Sequence, residues 1–558
     1  MTAAHGSPAA RRHARPRLWP LVVLLLGLLP FSAAAPVGAA TTGYRDFAFA
    51  AAGDPSNPDA GPTGEKPQSK LWFNDGAWWG SLRDRATGQY HIERFDWAAQ
   101  TWSDTGTTID ARGASHADCL WDGSHLYVAT AVPPGTAGDT GIRVLRFSYA
   151  AGRYTPDAGF PVTLASAGVE AVVLDKDTTG ALWVTYTRDN ASGGRSVYVA
   201  HSTTNGAAWG APYVIPATGA TTLTADDISA LVAYRGHIGV MWSNQNDATM
   251  YFAYHTDGAS DQQWQQLPAL QGPAYADDHI NLKSLQTDAS GQVFAAVKTS
   301  LDDVPGQSGS APLTLLLVLG QSGGWSRHTF GTVGDDHSRP LVLIDDEHRT
   351  LYMFATSPQF LGGTIYYKQT SLDNINFPAG RGTPFIQSDA DPDINNATST
   401  KQTVNGATGL LVEASDLSTG YYLHNTLSLG GGPSPSPSPS PSPSPGPGAT
   451  VRVNAGGGAN TGAGGVAWAA DTGFSGGDAA STSAAIAGTT DDPLYQTERW
   501  GSAFSYRFTV PNGNYAVTLK FAEIYWTQPG QRVFNVALDG QPVLTNFDIL
   551  TQVPPNTA

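Results

Sequence analysis

The chain has 558 residues, with 47 acidic and 31 basic side chains and a net charge of −16 at neutral pH. This acidic balance argues against nucleic acid or an anionic membrane surface as a partner. Cys119 is the only cysteine, which excludes an intramolecular disulfide. Stability must therefore come from burial, for which 15 Trp, 21 Tyr and 20 Phe provide large apolar surfaces.

Residues 1–40 have the pattern of a signal peptide. Four arginines precede the apolar run LVVLLLGLL, and the small residues SAAAPVGAA follow it. The apolar run is shorter than the roughly 20 residues that a membrane-spanning helix requires. We therefore expect a secreted, extracellular protein without a membrane anchor.

Residues 41–430 contain a repeated β-hairpin pattern with a period of roughly 45 to 60 residues. Each unit has a short apolar strand, a turn with Asp, Asn or Gly, and a second apolar strand. The seven hairpins are KLWFNDGAWWGSL at 70, DCLWDGSHLYVATA at 118, EAVVLDKDTTGALWVTYT at 170, SALVAYRGHIGVMWS at 229, KSLQTDASGQVFAAVKT at 283, PLVLIDDEHRTLYMFAT at 340 and KQTVNGATGLLVEAS at 401.

Further alternating segments, such as YHIERFDW and RVLRFSYA, lie between these hairpins. They bring each unit to about four strands. Four-stranded units at this period predict an all-β, seven-bladed β-propeller whose blades surround a central channel.

A second recurring feature falls late in several units. The segment STTNGAAW at 202–209 resembles the Asp-box turn, Ser-x-Asp-x-Gly-x-x-Trp, of sialidase-like propellers with BNR repeats, with Asn205 in place of Asp. SLDNINF at 371–377 and HTDGASDQQW at 255–264 are looser copies. The resemblance implies a structural turn in which the amide or carboxylate accepts backbone N–H groups. The Arg-Ile-Pro signature of sialidases is not found in the sequence, which disfavours sialidase chemistry.

The stretches DDHINLK at 277–283 and DDHSRP at 335–340 precede the first strands of two units, near one predicted mouth of the channel. They resemble the Asp-Asp-His stretch of secreted BNR-repeat propellers, some of which are lyases of uronate-containing polysaccharides. Such chemistry needs a base, for which His279 and His337 are candidates. It also needs a cation that neutralises the uronate, for which Lys283 and Arg339 are candidates. The same residues could instead cap turns between blades, so no catalytic residue is assigned.

Acidic residues elsewhere leave a second enzymatic interpretation open. Glu170, Asp226 and Asp227 could equally serve as glycosidase carboxylates, but that mechanism depends on a spacing across a cleft that sequence does not give. His116 and Asp118 open another unit in a position similar to the Asp-Asp-His stretches.

Residues 431–449 are predicted to be a disordered Pro/Ser linker. Alternating proline fixes φ and removes every second backbone donor, which favours extended polyproline II. At about 3.1 Å per residue, the repeat PSPSPSPSPSPSPGPG reaches on the order of 50 Å. The linker therefore separates two folded bodies.

Residues 450–558 closely resemble the malectin domain, a β-sandwich lectin module. The resemblance is carried by VRVNAGG (451–457), YQTERWG (495–501) and the segment FSYRFTVPNGNYAVTLKFAEIYWTQPGQRVFNVALDGQPVLTNFDIL (504–550). From the residues alone, YAVTLKFAEI and RVFNVALDG are predicted as half-buried strands with turns at PNGN and LDGQ. Because the family domain continues for a few more strands and carries an acidic ligand contact there, we expect a sandwich that is truncated and incomplete.

The resemblance also implies the ligand contacts. The matching aromatic positions are Tyr495 or Trp500 in YQTERW and the pair Tyr525 and Trp526 in EIYW, with Trp468 a less certain counterpart. The apolar face of a pyranose stacks on an aromatic ring, while hydroxyl and amide groups bind its hydroxyl groups.

These features predict a secreted carbohydrate-binding protein. The malectin-like module binds a polysaccharide or oligosaccharide and tethers the propeller to it, while Glu498 and Arg499 form a structural ion pair or loop brace. The alternative is a polysaccharide-degrading enzyme, a lyase or glycoside hydrolase, with its active site at the propeller mouth. No cofactor and no metal are predicted, because the spacing of zinc ligands is absent.

Overall fold

The computed structural model describes residues 42–51, 61–191, 193–204, 206–285, 291–360, 362–429, 451–462, 465–508, 517–538 and 541–558. The chain divides into two compact units, Met1–Pro433 and Ser434–Ala558. The predicted signal peptide, the Pro/Ser repeat and Asn205 lie outside the described residues. Within the described ranges, no helix has the length and apolarity needed to cross a bilayer.

The first unit is a seven-bladed β-propeller, as the repeats predict. Its described residues form seven antiparallel sheets of four or five strands, with inner strands that pack side by side around a ring. The strands of the first three blades are β2 (Leu71–Asn74), β3 (Ala77–Arg83), β4 (Tyr90–Asp96), β5 (Thr101–Asp110); β6 (His116–Trp121), β7 (His125–Ala131), β8 (Ile142–Ala150), β9 (Arg153–Pro156), β10 (Val162–Ala165); β11 (Val172–Lys176), β12 (Leu182–Asp189), β13 (Arg195–Thr204), β14 (Ala208–Trp209) and β15 (Tyr213–Val214).

The remaining four blades follow the same pattern, and the last one is closed by the first strand of the unit. Their strands are β16 (Ser229–Tyr234), β17 (His237–Asn244), β18 (Thr249–Thr256), β19 (Trp264–Gln271); β20 (Ile280–Ser284), β21 (Val293–Lys298), β22 (Pro312–Leu319), β23 (Trp325–Thr332); β24 (Ser338–Asp345), β25 (Thr350–Ser357), β26 (Thr364–Ser371), β27 (Thr383–Ile386); β28 (Ile394–Thr398), β29 (Leu410–Asp416), β30 (Tyr421–Leu427) and β1 (Tyr44–Ala48).

Strand β1 joins the two ends of the propeller. It pairs antiparallel with β30, with Tyr44 opposite His424. The side chain of Asp46 lies 2.7 Å from His424 Nδ1, and Arg45 forms a 2.9 Å ion pair with Asp391. The ring is therefore closed by a backbone ladder and by two polar contacts.

The two-residue period of the inner strands decides what each face contacts. In β20, Ile280 and Leu282 pack into the apolar cluster shared with the preceding blade. On the other face, Asn281 Oδ1 accepts the backbone N–H of Val342 from the following blade at 3.3 Å. Apolar and polar contacts thus alternate along one strand and join it to both neighbours.

Buried carboxylates also connect adjacent blades. Asp118 on β6 accepts the N–H of Ser69, before β2, and the N–H of Leu174 on β11, both at 2.8 Å. Asp175 on β11 accepts the N–H of Ala233 on β16, also at 2.8 Å. Each carboxylate satisfies backbone donors that would otherwise be buried without a partner.

Six of the seven predicted hairpins match the observed strand pairs, but the last prediction was wrong at its first strand. The segment KQTV at 401–404 is not a strand, and the inner strand of the last blade is β28, Ile394–Thr398. Val404 instead donates its N–H to the carbonyl of Ile344 at 2.8 Å, outside the sheet of its own blade. This segment is therefore hydrogen-bonded to a neighbouring blade at Val404.

In its described part, the second unit contains three two-stranded antiparallel ladders. Leu538 lies opposite Gln541, which confirms the predicted hairpin, although residues 539 and 540 lie outside the described ranges. The elements are β31 (Asn460–Thr461), β32 (Ala467–Trp468), β33 (Phe474–Ser481), a helical turn (Asp492–Tyr495), β34 (Thr497–Tyr506), β35 (Phe534–Leu538), β36 (Gln541–Phe547) and a 3₁₀ turn (Ile549–Thr551).

The predicted strand YAVTLKFAEI differs from the structure. Its described residues, 517–524, do not belong to a strand. An alternating pattern gives a strand only where a neighbouring segment supplies the ladder, and among the described residues no segment pairs with this one. Val517 and Leu519 consequently remain exposed.

Candidate carbohydrate site and propeller mouth

Tyr525 and Trp526 form an exposed aromatic pair in the second unit. Their ring centroids lie 4.9 Å apart with the ring planes at 88°. Tyr525 is 70% exposed and Trp526 36% exposed. The perpendicular arrangement leaves flat ring surfaces in contact with solvent, which suits stacking against the C–H face of a sugar.

The backbone of this pair is held by Glu523. Its Oε1 accepts the N–H groups of both Tyr525 and Trp526 at 2.9 Å. Its Oε2 lies 3.1 Å from Nε of Arg532. The short spacing between an acidic side chain and the N–H groups two and three residues later is the geometry of a capped turn.

Glu498 and Arg499 are braces, as predicted, but each has a different partner. Glu498 Oε1 accepts from Arg532 at 3.0 Å, and a second contact joins Glu498 Oε2 to the same guanidinium. Arg499 donates to Asp471 at 2.6 Å and lies 3.4 Å above the ring of Phe474. Successive strand residues point to opposite faces, which separates the two side chains.

Tyr495 lies at the end of the helical turn and faces Lys520. The Lys520 ammonium donates to Tyr495 Oη at 3.1 Å and lies 5.3 Å from the centre of that ring. The ring of Trp468 is 6.0 Å from the same ammonium. Tyr495 and Trp468 therefore flank one cation, at distances typical of cation–π contacts.

Trp500 occupies a separate position on β34, opposite Asp478 in the ladder. It is 48% exposed. Across the described ranges, no ring contact joins Trp500 to Tyr525 or Trp526. The four predicted sugar contacts thus comprise one contacting pair and two other aromatic positions.

In the propeller, the buried segment 61–70 contacts several blades before it enters β2. Thr63 Oγ1 lies 2.7 Å from Ser415 Oγ in the last blade. Gln68 donates to the carbonyl of Val172 in the third blade at 2.9 Å, and the carbonyl of Lys66 accepts from Asn281 in the fifth blade at 3.0 Å. The sequence does not reveal the role of this segment, because GPTGEKPQSK has neither strand nor helix periodicity.

Lys66 is surrounded by carboxylates from different parts of the propeller. Its ammonium contacts Asp278 directly and lies 3.5 Å from Glu170 and 3.6 Å from Glu65. Burial alone would lower the pKa of Lys66, but the three carboxylates, Asp278 first among them, raise it above its usual value. Lys66 is therefore charged at neutral pH.

Glu170 is the acid of this group with the greatest access to solvent, because its side chain is 24% exposed. Burial raises the pKa of Glu170 to about 7, and the nearby carboxylates add to this effect despite the opposing charge of Lys66. A carboxyl group with this pKa can both give and accept a proton near neutral pH.

His279 belongs to the same mouth. Its Nδ1 contacts Asp277 and lies 2.6 Å from Asp278, and its Nε2 lies 3.1 Å from Ser338 Oγ. Arg339 donates to that hydroxyl at 3.3 Å. Burial would lower the pKa of His279, but the charges of Asp278 and Asp277 raise it above its usual value, which favours the protonated ring.

The other two residues considered from sequence lie elsewhere. His337 donates from Nε2 to the carbonyl of Arg381 at 3.0 Å and packs against Phe330. Burial lowers the pKa of His337 to about 4. Lys283 donates to Ser69 Oγ at 3.2 Å, and burial lowers its pKa to about 7. The structure thus places His279 beside Arg339 and directs His337 and Lys283 to other contacts.

Among the residues that the structure describes, two groups have the donor atoms of a metal site. Donor atoms within each group lie within 4.8 Å of one another. In the group Asp277, Asp278 and His279, the carboxylates already face ammonium groups, since Lys298 lies 2.9 Å from Asp277. A protonated His279 is also no ligand. The groups are Asp277, Asp278 and His279 at the mouth, and Asp46, Glu413 and His424 at the blade closure.

The fold and the exposed rings define an all-β protein in which a seven-bladed propeller is joined to a smaller module with an aromatic surface. Residues 449–558 match the family model of the malectin domain, and this part of the chain is a malectin domain. Malectin of Mus musculus is 44% identical over 70 residues, and malectin of Homo sapiens 43%. Each alignment covers 12% of this chain, and the chain spans about a quarter (24%) of the length of these relatives.

Among solved structures, a polysaccharide lyase of family PL25, an ulvan lyase, aligns with 70% of this chain and 97% of its own, at 11% identity and a TM-score of 0.46. The Hadza microbial sialidase Hz136 aligns with 63% of this chain and 73% of its own, at 11% identity and a TM-score of 0.37. Likenesses at this level assign no activity to the propeller.

Proposed function

We propose that this chain is a secreted carbohydrate-binding protein whose malectin domain binds an oligosaccharide or polysaccharide and tethers the propeller to it. The observation that carries the proposal is the perpendicular pair Tyr525–Trp526, exposed in a malectin domain and held by a buried carboxylate. Aromatic faces and adjacent polar groups are the usual components of a sugar site.

The test is binding of the full chain to an array of neutral and uronate-containing oligosaccharides. Y525A and W526A should each weaken binding about 5- to 150-fold, because a stacked aromatic ring contributes on the order of 1–3 kcal/mol. F360A is the matched control, since Phe360 is an equally exposed aromatic residue (73%) in the propeller. Binding that survives the Y525A/W526A double substitution would refute the assignment.

Secretion is part of the same proposal. It is supported by the basic, apolar and small-residue order of positions 1–40. Expression with the native N-terminus should place the protein in the culture medium, and its new N-terminal sequence should begin near residue 41. Intact protein retained inside the cell would contradict secretion.

A second candidate function is polysaccharide cleavage at the propeller mouth. The observation that favours it is Glu170, whose pKa of about 7 and contact with Lys66 are typical of an acid–base residue. Asp278 beside it has a pKa held well below its usual value by His279 and Lys66, although burial opposes this. Neighbouring carboxyl groups with widely separated pKa values are a common feature of acid–base sites.

Product release from neutral and uronate-containing polysaccharides tests this second function. If the mouth is catalytic, E170Q should lower release at least 100-fold, and H279Q should also lower it. H337Q should leave release within about threefold, because the His337 ring bonds to the carbonyl of Arg381 and packs against Phe330. Equal losses in H279Q and H337Q, or no release by the parent chain, would count against cleavage at this site.

A further inference from the structure

We propose that Glu523 is the positioning residue of the sugar site: it sets the glycan affinity of the malectin domain by orienting Tyr525 and Trp526, without touching the glycan. This inference rests on the proposed binding function. The side chain of Glu523 is only 1% exposed, so the carboxylate itself is unavailable to a bound sugar. Its effect on a ligand must pass through the residues that it holds.

The hydrogen bonds show how the carboxylate orients both rings. One oxygen, Oε1, accepts two successive backbone N–H groups at 2.9 Å, those of Tyr525 and Trp526. Fixing two successive peptide groups constrains both Cα–Cβ directions, and the two rings that extend from them lie at 88° to each other. Core packing does not hold the Tyr525 ring instead, since Tyr525 is 70% exposed.

The carboxylate is anchored in turn by a charge network. Glu523 Oε2 lies 3.1 Å from Nε of Arg532, whose terminal nitrogens both contact Glu498 on β34. The two contacts of Arg532 with Glu498 are charge-assisted hydrogen bonds, while its contact with Glu523 is an ion pair. The network therefore connects the aromatic turn to the ladder β33–β34.

The backbone of Glu523 supplies a further constraint. Its carbonyl accepts the N–H of Asn556 at 2.9 Å, and Ala487 donates to the carbonyl of Asn556 at 2.8 Å. The residue that carries the acceptor is thus fixed independently of its side chain. Replacing the side chain should release the N–H groups of Tyr525 and Trp526 while this backbone contact remains.

A preorganised pair binds more tightly than a mobile one, because the ordering cost is met before the ligand arrives. We expect E523A to weaken binding of the full chain at least tenfold. E523Q should stay within about threefold, since its amide oxygen can still accept both N–H groups. Q552A is the matched control, because Gln552 is exposed and lies outside the network.

The experiment combines calorimetry with a readout that needs no ligand. Titration with maltotriose and with trigalacturonate gives affinities, and near-ultraviolet circular dichroism reports the coupling of the ring pair, identified as the band that W526F removes. E523A should remove the same band, and E523Q should restore it. In the Y525A/W526A background, E523A should cause no further loss of affinity.

Two results would overturn the inference. One is a band retained in E523A, and the other is an equal effect of E523A on affinity with and without the two aromatic rings. If the parent chain binds neither maltotriose nor trigalacturonate, the binding proposal fails for those sugars. The circular dichroism of E523A and E523Q then still decides whether Glu523 positions the pair.

Discussion

Asp118 should be among the most sensitive positions of the propeller. Its two oxygens accept backbone N–H groups from the first and third blades, each at 2.8 Å, and Lys401 lies 2.9 Å from Oδ2. The side chain of Asp118 is fully buried and that of Lys401 is 11% exposed. Asp118→Ala therefore leaves two buried N–H groups and a largely buried ammonium without an acceptor.

The expected loss follows from these contacts. Each orphaned buried N–H costs about 1–3 kcal/mol, and loss of one member of a buried ion pair costs about 3–5 kcal/mol when nothing replaces it. Because water can enter the space left by the side chain and reach Lys401, we expect a total loss of unfolding free energy near the lower end, about 5 kcal/mol. D118N should lower the free energy of unfolding by about 2 kcal/mol, since the single oxygen of its amide can accept only some of the hydrogen bonds that the two carboxylate oxygens accept.

The assay is guanidinium denaturation of the full chain followed by tryptophan fluorescence, from which the free energy of unfolding is obtained. D189A is the control, because Asp189 is 84% exposed and forms only a 3.3 Å surface pair with Arg195. That control should change stability by less than about 0.5 kcal/mol. A loss below about 1 kcal/mol in D118A would refute the argument that this carboxylate joins the blades.

Three further predictions concern pH, each checked by denaturation midpoints of parent and variant. Burial raises the pKa of Glu170 from 4.5 to about 7, so between these pH values the folded chain binds more protons than the unfolded chain. Stability therefore falls as pH rises from 4.5 to 7, and E170Q should reduce this fall. Burial lowers the pKa of His337 from 6.5 to about 4, so stability is lost as pH falls through this window, and an H337Q curve with the parent's slope would contradict the assignment. Burial lowers the pKa of Lys283 from 10.5 to about 7, so stability falls as pH drops from 10.5 to 7. K283M should remove this slope and stabilise the chain by at least about 1 kcal/mol at pH 7, and a destabilised variant would count against the prediction.

The bladed architecture could be predicted because its signals are local. A hairpin such as KLWFNDGAWWGSL carries its own two-residue period and its own turn residues, and the structure pairs Asn74 with Ala77 where the turn was expected. The last blade lacks this property. Its outer strand β1 comes from the start of the unit, and a sequence separation of more than 370 residues leaves no periodic signal.

The propeller mouth shows the limit of the same reasoning. His337 and Arg339 are two residues apart, so strand alternation would put them on one face beside His279. The structure has a register shift in β24 between Ser338 and Leu341, and Arg339 has a left-handed backbone with φ of 53°. A bulge reverses the alternation locally, and Ser338 rather than His337 faces His279.

The amino-acid sequence by itself determined the propeller repeats, the malectin resemblance and the aromatic residues offered to a sugar, because period, turn chemistry and motif are properties of short segments. Only the tertiary structure decided that segment 61–70 places Lys66 between Glu170 and Asp278, and that Glu523 holds Tyr525 and Trp526. Burial and proximity between distant residues set these contacts and the resulting pKa values, and neither quantity exists until the chain has folded.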